Sequence, residues 1–383
     1  MDMTAPRIGV FFCDCGETLE GLIDYAKLKE HAKGLDGVAY VEKDRFMCSP
    51  QSMKRITEMV KKHSLDRLVI AACSPRVYLD EFRQAAQNAG LNPYMVEQVN
   101  LREQVAWIHS SNKLIATDKA KDVLSMSVSR SRKMQPSAQG PGAAVQEDLC
   151  SGCGVCASTC RQGAISFKET GPTKRVAMVD RSECRACGAC VAACPSGAMN
   201  LEGFSNEEVV AEIDAFSEGL LESKKPFPAV LVFACHWCSY PAADLAGLKR
   251  LQVDAHFRLV RTPCSARVDP EWVLRALSRG VDGVLVLGGK EGSCHYQGGN
   301  VRTRNRMALL SRVLDQLGFD TDRLMVEWVD ADEPYRFRTV VEDFIKRVSG
   351  LGPNPLRAPE PGEQMTSALQ HGQDETADLS HQR

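Results

Sequence analysis

The sequence predicts an α/β plus α+β protein in which two small parallel-sheet α/β domains flank a cysteine-rich segment. Three observations support this fold class. Apolar runs of strand length alternate with amphipathic runs of helix length on both sides of the middle of the chain, which is typical of parallel βαβ units. Sixteen cysteines fall into three sets along the 383 residues. The middle set is a compact run with regular spacing, whereas the outer sets follow predicted strands.

The first strand–helix units occupy the amino-terminal third of the chain. We predict strands at Arg7–Phe12, Val38–Arg45 and Arg67–Ala72, and helices at Tyr25–Leu35 and Pro50–Ser64. The carboxyl ends of parallel strands meet at one edge of a sheet, where open α/β sheets bind ligands. We therefore expect four thiols to converge there, namely Cys13, Cys15, Cys48 and Cys73. Their spacing alone leaves a [4Fe–4S] cluster, a zinc ion and no metal as alternatives.

Several short sequences in this region are more specific than the spacing. They are Ile8–Gly16, Val69–Arg76, Gly90–Tyr94, Asn100–Gln104 and Trp107–His109. Together they resemble the amino-terminal domain of the A-type subunit of heterodisulfide reductase, over about residues 1–130. The resemblance implies a [4Fe–4S] cluster on Cys13, Cys15, Cys48 and Cys73.

The chain departs from that family in the segment that follows. The family continues into a large flavin-binding domain, whereas here a helix at Asp118–Ser129 leads into a basic, Pro/Gly/Ser-rich stretch, Arg130–Gly142. We interpret this stretch as a linker that leaves the first cluster mobile. No Gly-x-Gly-x-x-Gly lies between a strand and a helix, so we predict no FAD or NAD site in this chain. Without a flavin, the chain alone would neither oxidise a hydride donor nor bifurcate electrons.

The middle segment carries two four-cysteine runs of the same spacing. They are Cys150-x2-Cys153-x2-Cys156-x3-Cys160 and Cys184-x2-Cys187-x2-Cys190-x3-Cys194, the second followed by Pro195. This is the spacing of a two-cluster bacterial ferredoxin, in which the fourth cysteine of each run binds the other cluster. Structural zinc is disfavoured because zinc sites usually use two separated pairs. We therefore predict one [4Fe–4S] cluster on Cys150, Cys153, Cys156 and Cys194, and a second on Cys184, Cys187, Cys190 and Cys160.

The carboxy-terminal third repeats the strand–helix alternation. We predict strands at Ala229–Ala234, His256–Thr262, Gly283–Leu287 and Arg323–Asp330, and helices at Pro241–Leu251, Pro270–Arg279 and Asn300–Leu317. Cysteines again follow strands, so we expect a second convergence of thiols at a sheet edge. These are Cys235, Cys238, Cys264 and Cys294. A Cys-x2-Cys pair with two distant single cysteines suits either zinc or an iron–sulfur cluster.

Short sequences again favour one of these alternatives. Trp237–Tyr240, Arg267–Pro270, Gly280–Gly288 and Cys294–Tyr296 resemble the delta subunit of the methyl-viologen-reducing hydrogenase, over about residues 228–347. The resemblance implies a [2Fe–2S] cluster on Cys235, Cys238, Cys264 and Cys294. Where that family often has Gly-Cys, this chain has Gly288-Gly289, so the site has no spare cysteine. We expect His236 and His295 to form hydrogen bonds rather than to bind iron.

These patterns divide the chain into six predicted segments. They are a cluster-binding α/β domain at 1–130, a linker at 131–147, a two-cluster ferredoxin domain at 148–203, a helix and linker at 204–226, a hydrogenase-delta-like α/β domain at 227–350, and a disordered tail at 351–383. The connecting helix opens at Ser205-x-x-Glu208, which predicts a capping box and a helix through Ser223. The tail is rich in polar residues and proline, which is why we expect disorder.

Composition and motifs exclude several classes of function. A net charge of −2 provides no global field towards nucleic acid or anionic lipid. The amino terminus lacks the features of a secretory signal, and no apolar stretch is uninterrupted enough to insert directly into a membrane. Many cysteines without export indicate metal or redox use rather than disulfides. We therefore expect a cytoplasmic protein without a complete active site, whose working residues are cysteines.

The sequence thus predicts an electron-transfer subunit with three [4Fe–4S] clusters and one [2Fe–2S] cluster. Its expected partners are redox subunits: a hydrogenase, formate dehydrogenase or flavoprotein on one side, and heterodisulfide-reductase-like subunits on the other. The ferredoxin pair would form the bridge between the two outer domains. Two alternatives stay open, a freely diffusing polyferredoxin-like carrier and a redox or iron sensor. A sensor would need an output element, and the sequence contains neither a helix-turn-helix nor a basic patch.

Overall fold

The computed structural model describes residues 5–172, 174–221 and 226–357. The predicted fold class is confirmed: two four-stranded parallel sheets lie on either side, in sequence, of a segment with two short antiparallel ribbons. None of the helices in this described part of the chain has the length and apolar character needed to cross a lipid bilayer.

The amino-terminal sheet has the strand order β2-β1-β3-β4, with all strands parallel. Its strands are β1 (Ile8–Cys13), β2 (Val38–Asp44), β3 (Arg67–Ala72) and β4 (Val96–Asn100). The helices around it are α1 (Tyr25–Lys33), α2 (Pro50–His63), α3 (Pro75–Asn88) and α4 (Lys113–Lys133), with a 3₁₀ turn at Pro93–Met95 and a π-helical turn at Arg102–Ala106.

Local chemistry explains where the helices of this domain begin. The Ser49 hydroxyl accepts a hydrogen bond from the Ser52 amide at 3.1 Å, and Pro50 occupies the first turn, so α2 starts there. Ser74 and Pro75 play the same roles for α3. Both cap residues directly follow a cysteine, which places Cys48 and Cys73 at the sheet edge.

The middle segment is built from two β-ribbons and two helices. Its elements are β5 (Gly142–Val145), α5 (Val155–Thr159), β6 (Ile165–Glu169), β7 (Arg175–Val179), β8 (Met199–Glu202) and α6 (Asn206–Leu221). Strand β5 pairs with β8 and β6 pairs with β7, both antiparallel. The helix α6 begins as predicted, because the Ser205 hydroxyl accepts from the Glu208 amide at 3.2 Å. The Glu208 side chain instead reaches Arg130, so the capping box is only half formed.

The carboxy-terminal sheet repeats the topology of the first, with the order β10-β9-β11-β12 and all strands parallel. Its strands are β9 (Val230–Cys235), β10 (Phe257–Thr262), β11 (Gly283–Gly288) and β12 (Leu324–Trp328). Its helices are α7 (Ser239–Leu248), α8 (Pro270–Ser278), α9 (Gly299–Gln316) and α10 (Pro334–Leu351), with 3₁₀ turns at Ser265–Arg267 and Thr321–Arg323.

The stretch predicted as a linker, Arg130–Gly142, is ordered differently from that prediction. Helix α4 continues to Lys133, and Gly142 already belongs to strand β5. Arg130 is buried, and its guanidinium lies 3.1 Å from a carboxylate oxygen of Glu208 and 3.8 Å from one of Glu212. The sequence suggests a solvated basic residue, but here the buried carboxylate of Glu208 on another helix compensates the charge of Arg130, and α4 packs against α6.

The first residues of the predicted disordered tail, 351–357, are ordered. Asn354 is buried, and its side-chain amide donates to the carbonyl oxygens of Leu277 at 2.8 Å and Val281 at 2.7 Å. Arg357 forms a buried ion pair with Asp282, with 2.6 Å between Nη1 and Oδ2. Residues 351–357 therefore pack on the carboxy-terminal domain. The rest of the predicted tail, 358–383, lies outside the described residues.

The two outer domains contact each other directly. The buried carboxylate of Asp244 in α7 accepts hydrogen bonds from the hydroxyl of Ser74 at 2.6 Å and from the side-chain amides of Asn100 at 2.8 Å and Gln104 at 2.7 Å. Burial of this carboxylate at the contact raises the pKa of Asp244 to about 6. The two outer domains are separated in the sequence by the ferredoxin segment, yet they pack against each other in the structure.

Candidate iron–sulfur centres

None of the sixteen cysteines, all of which lie in the described ranges, forms a disulfide, and each predicted set occupies one region of the structure. No three or more histidine, cysteine or acidic side chains in the described ranges close round a point that a single metal ion would fill. In the ferredoxin segment the thiols instead line cavities.

The first cavity of the ferredoxin segment is lined by one predicted ligand set, Cys150, Cys153, Cys156 and Cys194. Cys194 comes from the far end of the second run, so the crossing expected from the spacing is present. Burial raises the pKa of Cys156, and the thiolates of Cys194 and Cys150 raise it further. The residues that complete the lining of this cavity carry no formal charge: Ser151, Gly154, Phe167, Pro195, Ser196, Ala198 and Met199.

The second cavity is lined by the other predicted set, Cys160, Cys184, Cys187 and Cys190. Burial raises the pKa of Cys190 to about 12, and the thiolates of Cys187 and Cys184 also contribute to this increase. A backbone amide points at this set, since the N–H of Ala143 lies 3.5 Å from Sγ of Cys184. Such N–H groups favour charged sulfur and are among the features that set the potential of a cluster.

The amino-terminal group lies at the carboxyl edge of its sheet. Cys13 is the last residue of β1, and its Sγ is 3.7 Å from that of Cys15. The backbone of Cys15 is left-handed, with φ of 51°, which turns its side chain back towards Cys13. The hydrogen bond from the Cys15 thiol lowers the pKa of Cys13 to about 7 and raises that of Cys15. The amide of Met47, next to Cys48, also points at Sγ of Cys13, at 3.5 Å.

The same edge holds the other two predicted thiols and a cation that sequence reasoning missed. Burial raises the pKa of Cys73 to about 12, while the charge of Arg102 opposes this shift. Burial likewise raises the pKa of Cys48, and the Cys13 thiolate adds to it. Nη1 of Arg102 lies 3.9 Å from Sγ of Cys15, and the buried carboxylate of Glu103 neutralises this arginine at 2.7 Å. Arg102 and Glu103 both lie in the Asn100–Gln104 stretch, which was noted in the sequence only for its resemblance to the reductase subunit.

The carboxy-terminal thiols lie close enough together to shift one another's pKa. Cys238 and Cys264 lower the pKa of Cys235, and Cys235 and Cys294 raise that of Cys264. The hydrogen bond from Cys264 lowers the pKa of Cys294 to about 5, against the effect of burial. All four predicted thiols are thus brought together beyond the ends of β9, β10 and β11.

Two glycines make room for the sulfur atoms of this group. A methyl group added at Gly289 would lie 2.5 Å from Sγ of Cys238, and one added at Gly299 would lie 2.5 Å from Sγ of Cys264. Gly289, where the related family often has cysteine, is therefore at the site itself. A side chain there would compete with the Cys238 sulfur for the same space.

The two histidines beside these cysteines are engaged by other side chains. The ring of His295 stacks on Trp237, with centroids 3.9 Å apart and planes at 12°. Nδ1 of His236 lies 3.4 Å from a guanidinium nitrogen of Arg261. Trp237 donates from Nε1 to the Tyr296 hydroxyl at 2.9 Å, so these rings form one aromatic group beside the thiols.

The carboxy-terminal group and the second ferredoxin cavity share a wall. Cys264 lines that cavity together with the predicted ferredoxin ligands, as do Tyr296 and Arg302. The Tyr296 hydroxyl donates to the carbonyl oxygen of Arg185, which lies between Cys184 and Cys187, at 3.1 Å. The spacing of the cysteines contains no signal for this junction, because it joins residues that are remote in the sequence.

Comparison with known proteins supports the two resemblances. Residues 230–352 match the family model of the methyl-viologen-reducing hydrogenase delta subunit, and residues 149–198 match a 4Fe-4S dicluster domain. The D-type iron-sulfur subunit of the F420-non-reducing hydrogenase of Archaeoglobus profundus is 40% identical over 126 residues, which are 33% of this chain and 92% of that protein. The corresponding vhu hydrogenase subunit of Methanocaldococcus jannaschii is also 40% identical, over 131 residues, 34% of this chain and 98% of its own length.

The second group of relatives is much longer than this chain. The A-type subunit of the ferredoxin:CoB-CoM heterodisulfide reductase of Methanosarcina mazei is 41% identical over 212 residues, which are 55% of this chain and 26% of that protein. The chain thus spans about a quarter of the length of the reductase subunits that it matches first. Both groups contain proteins named as iron–sulfur subunits, which supports a role in electron transfer.

Proposed function

The chain belongs, through residues 230–352, to the family of the methyl-viologen-reducing hydrogenase delta subunit, and we propose that it is the iron–sulfur relay subunit of a larger redox complex. It carries three [4Fe–4S] clusters and one [2Fe–2S] cluster. It passes single electrons between a hydrogenase, formate dehydrogenase or flavoprotein and heterodisulfide-reductase-like subunits.

One observation carries this proposal. A single cavity is lined both by the four cysteines of the second ferredoxin set and by Cys264 of the carboxy-terminal group. Two centres with a common wall exchange electrons without an intervening carrier, so the chain is suited to conduction within itself. A zinc ion at either site would have no redox function.

The residues fit the clusters that the proposal assigns to them. Thiolates are the usual ligands of both cluster types, and each predicted set supplies four. In the first ferredoxin set, Cys156 is buried while Cys153 is exposed. Burial and exposure are among the properties that set cluster potentials, so the four centres are expected to differ in potential.

The heterodisulfide reductase and hydrogenase relatives support the choice of partners. Their names place them in complexes that handle a heterodisulfide or hydrogen. We infer that the carboxy-terminal domain docks with the hydrogenase-type or dehydrogenase-type subunit, and that the amino-terminal domain faces the reductase side. The exposed Trp237 and its aromatic neighbours provide a docking surface beside the carboxy-terminal thiols.

Anaerobic purification of the native complex tests this function. We expect about 14 iron atoms and as many acid-labile sulfides per chain, and EPR signals of both cluster types. We also expect co-purification with a flavoprotein or a hydrogenase or dehydrogenase subunit. A chain that elutes alone with a full complement of iron would support a diffusing carrier instead. One that contains zinc in place of iron would overturn the proposal.

A further inference from the structure

Arg267 is buried between the carboxy-terminal thiols and the second ferredoxin set. It ends the 3₁₀ turn Ser265–Arg267, and its backbone N–H donates to the carbonyl of Cys264 at 3.0 Å. Its side chain is fully shielded from solvent. The guanidinium carbon lies 4.2 Å from the centroid of the Trp272 ring, which fixes the plane of the group.

The charge of this guanidinium is not neutralised by its contacts. Nη2 donates to the side-chain oxygen of Asn206 at 2.8 Å and to the carbonyl of Phe204 at 3.4 Å, both uncharged acceptors. Nε and Nη1 are buried and have no hydrogen-bond partner among the described residues. Arginine cannot shed its proton under ordinary conditions, and a buried charge without a partner is costly. A second, anionic group near this position would remove the cost.

Two kinds of anionic group act on this arginine: the carboxylates of Asp269 and Glu208, and on the ferredoxin side the thiolate of Cys190 in the second set. Gly188, between Cys187 and Cys190, leaves the space through which the arginine passes, since a methyl group added there would overlap Cδ of Arg267. Gly188 also has φ of +75°, so the position favours glycine for two reasons. Burial lowers the pKa of Arg267 to about 10, and the negative charges of Asp269 and then of Cys190 oppose this shift.

Among the described residues, the arginine that packs against the first ferredoxin set is Arg175, which donates from Nε to the Gly152 carbonyl at 3.0 Å and is exposed, so water screens its charge. The lining of the first cavity contains no charged side chain other than the cysteines.

The second cavity is lined by Arg161, Arg185 and Arg302. Arg161 and Arg185 are exposed, so water and salt screen them. Arg302 is half-buried, and its charge opposes the effect of burial on the pKa of Cys187. Arg267 is fully buried, so its charge is screened more weakly than that of these three arginines.

We propose that Arg267 tunes the second ferredoxin centre: its buried charge stabilises the reduced, more negative state of the cluster on Cys160, Cys184, Cys187 and Cys190. The second cluster therefore has a higher reduction potential than the first. Electrons collect beside the carboxy-terminal centre rather than at the exposed first cluster. This inference rests on the proposed function, because it requires iron–sulfur clusters at both sets.

Redox titration followed by EPR, on the purified full-length protein, tests the proposal. Arg267→Met removes the charge at similar length, and we expect the midpoint of the second cluster to shift to more negative potential while the first stays unchanged. Arg267→Lys retains the charge and is expected to restore part of the shift. Cys150→Ser, which damages the first set, identifies which signal belongs to the second cluster.

A second variant protects the test against misfolding of Arg267→Met. Asn206→Asp keeps the arginine and places a carboxylate where Asn206 Oδ1 now accepts from Nη2 at 2.8 Å. Asp is also favourable at the first residue of helix α6. Neutralisation by this route is expected to lower the same midpoint. The control is Arg304→Met, which removes an exposed arginine that pairs with Glu291, and it should leave both ferredoxin midpoints unchanged.

The outcomes separate this inference from the function on which it rests. Wild-type protein without two [4Fe–4S] signals contradicts the proposed function. Wild-type protein with both signals, whose midpoints do not move in either Arg267→Met or Asn206→Asp, overturns the role of Arg267 alone. An equal shift of both clusters in these variants also overturns it, because it indicates a general change in the fold.

Discussion

The amino-terminal and carboxy-terminal domains gather their thiols in the same way and surround them with different charges. Both sheets have the strand order second, first, third, fourth. In both, a cysteine pair follows the first strand and single cysteines follow the second and third. The equivalent residues are Cys13 and Cys15 with Cys235 and Cys238, Cys48 with Cys264, and Cys73 with Cys294. Topology alone thus brings four thiols to one edge twice.

The difference between the two sites lies in their arginines. Arg102 lies beside Cys15 and is neutralised by its neighbour Glu103. Arg267 follows Cys264, has no charged hydrogen-bond partner among the described residues, and reaches the ferredoxin segment at Gly188. At the amino-terminal site the arginine is balanced by the adjacent glutamate, whereas the arginine of the carboxy-terminal site extends to the second ferredoxin set. The shared strand order brings four thiols together in each domain, but it does not determine the reduction potential of a cluster bound there.

The largest effect should come from removing equivalent cysteines in the two domains. We expect Cys48→Ala to lose about four iron atoms and Cys264→Ala about two, because we propose a [4Fe–4S] cluster at the first site and a [2Fe–2S] cluster at the second. Because Cys264 also lines the second ferredoxin cavity, its loss should alter one ferredoxin EPR signal, and loss of Cys48 should alter neither. Iron analysis with EPR on anaerobic protein measures both. Equal iron losses, or disappearance of all signals together, would contradict the comparison.

A smaller effect is expected from Glu103→Gln, which tests whether Glu103 balances the charge of Arg102. The substitution leaves Arg102 without its 2.7 Å counter-charge, so its field on the adjacent thiolates increases. We expect the midpoint of the amino-terminal cluster to rise by some tens of millivolts, as ~59 mV corresponds to a tenfold change in a one-electron equilibrium.

Redox titration by EPR measures this shift, and the other three centres should keep their midpoints. The matched control is Glu42→Gln, which removes the partner of the exposed Arg55. If the carboxy-terminal centre responds to Glu103→Gln as strongly as the amino-terminal one, the two sites do not differ in the proposed way.

The smallest effect concerns the contact that joins the amino-terminal domain to helix α6. Burial raises the pKa of Glu212 from 4.5 to about 8. Between about pH 4.5 and pH 8, the folded protein therefore keeps a proton on Glu212 that the unfolded chain has lost. The stability contributed by the neutral acid is complete below about pH 4.5 and is gone once the pH has risen through about 8.

We expect Glu212→Gln to flatten this dependence. Between pH 6 and 8.5 the melting temperature of the wild type should fall by a few degrees more than that of the variant, on the order of 1 kcal/mol. Glu207→Gln, on an exposed part of the same helix, serves as the control and should melt like the wild type. Parallel curves for the wild type and Glu212→Gln would mean that Glu212 is ionised in the folded state.

Sequence reasoning found most strands of both sheets but missed β4. This strand contains Glu97, Gln98 and Asn100, which are buried yet polar, so it lacks the apolar run by which β1 and β3 were recognised. Asn100 donates to Asp244 of the other outer domain, Gln98 donates to the Cys73 carbonyl, and Glu97 lies 3.7 Å from Arg130. Their burial depends on segments that are remote in the sequence, so local patterning could not predict the strand.

Two helices, α3 and α10, were missed for a different reason. Both show apolar periodicity, since the buried face of α3 includes Leu79 and Phe82, and that of α10 includes Phe337, Val341 and Phe344. Each also begins with a proline in its first turn. These signals were available in the sequence.

The sequence by itself determined the thiol sets and their grouping. The eight ferredoxin cysteines could be grouped from their spacing in the sequence alone. The outer sets could be grouped because each cysteine follows a predicted strand, and the carboxyl ends of parallel strands meet at one edge of a sheet. Tertiary structure alone decided what surrounds them. The bond between Ser74 and Asp244 joins residues 170 positions apart, and Arg130 and Arg267 are buried against remote segments. An arginine in a sequence reads as a surface residue, because only the folded chain shows which distant groups remove it from water.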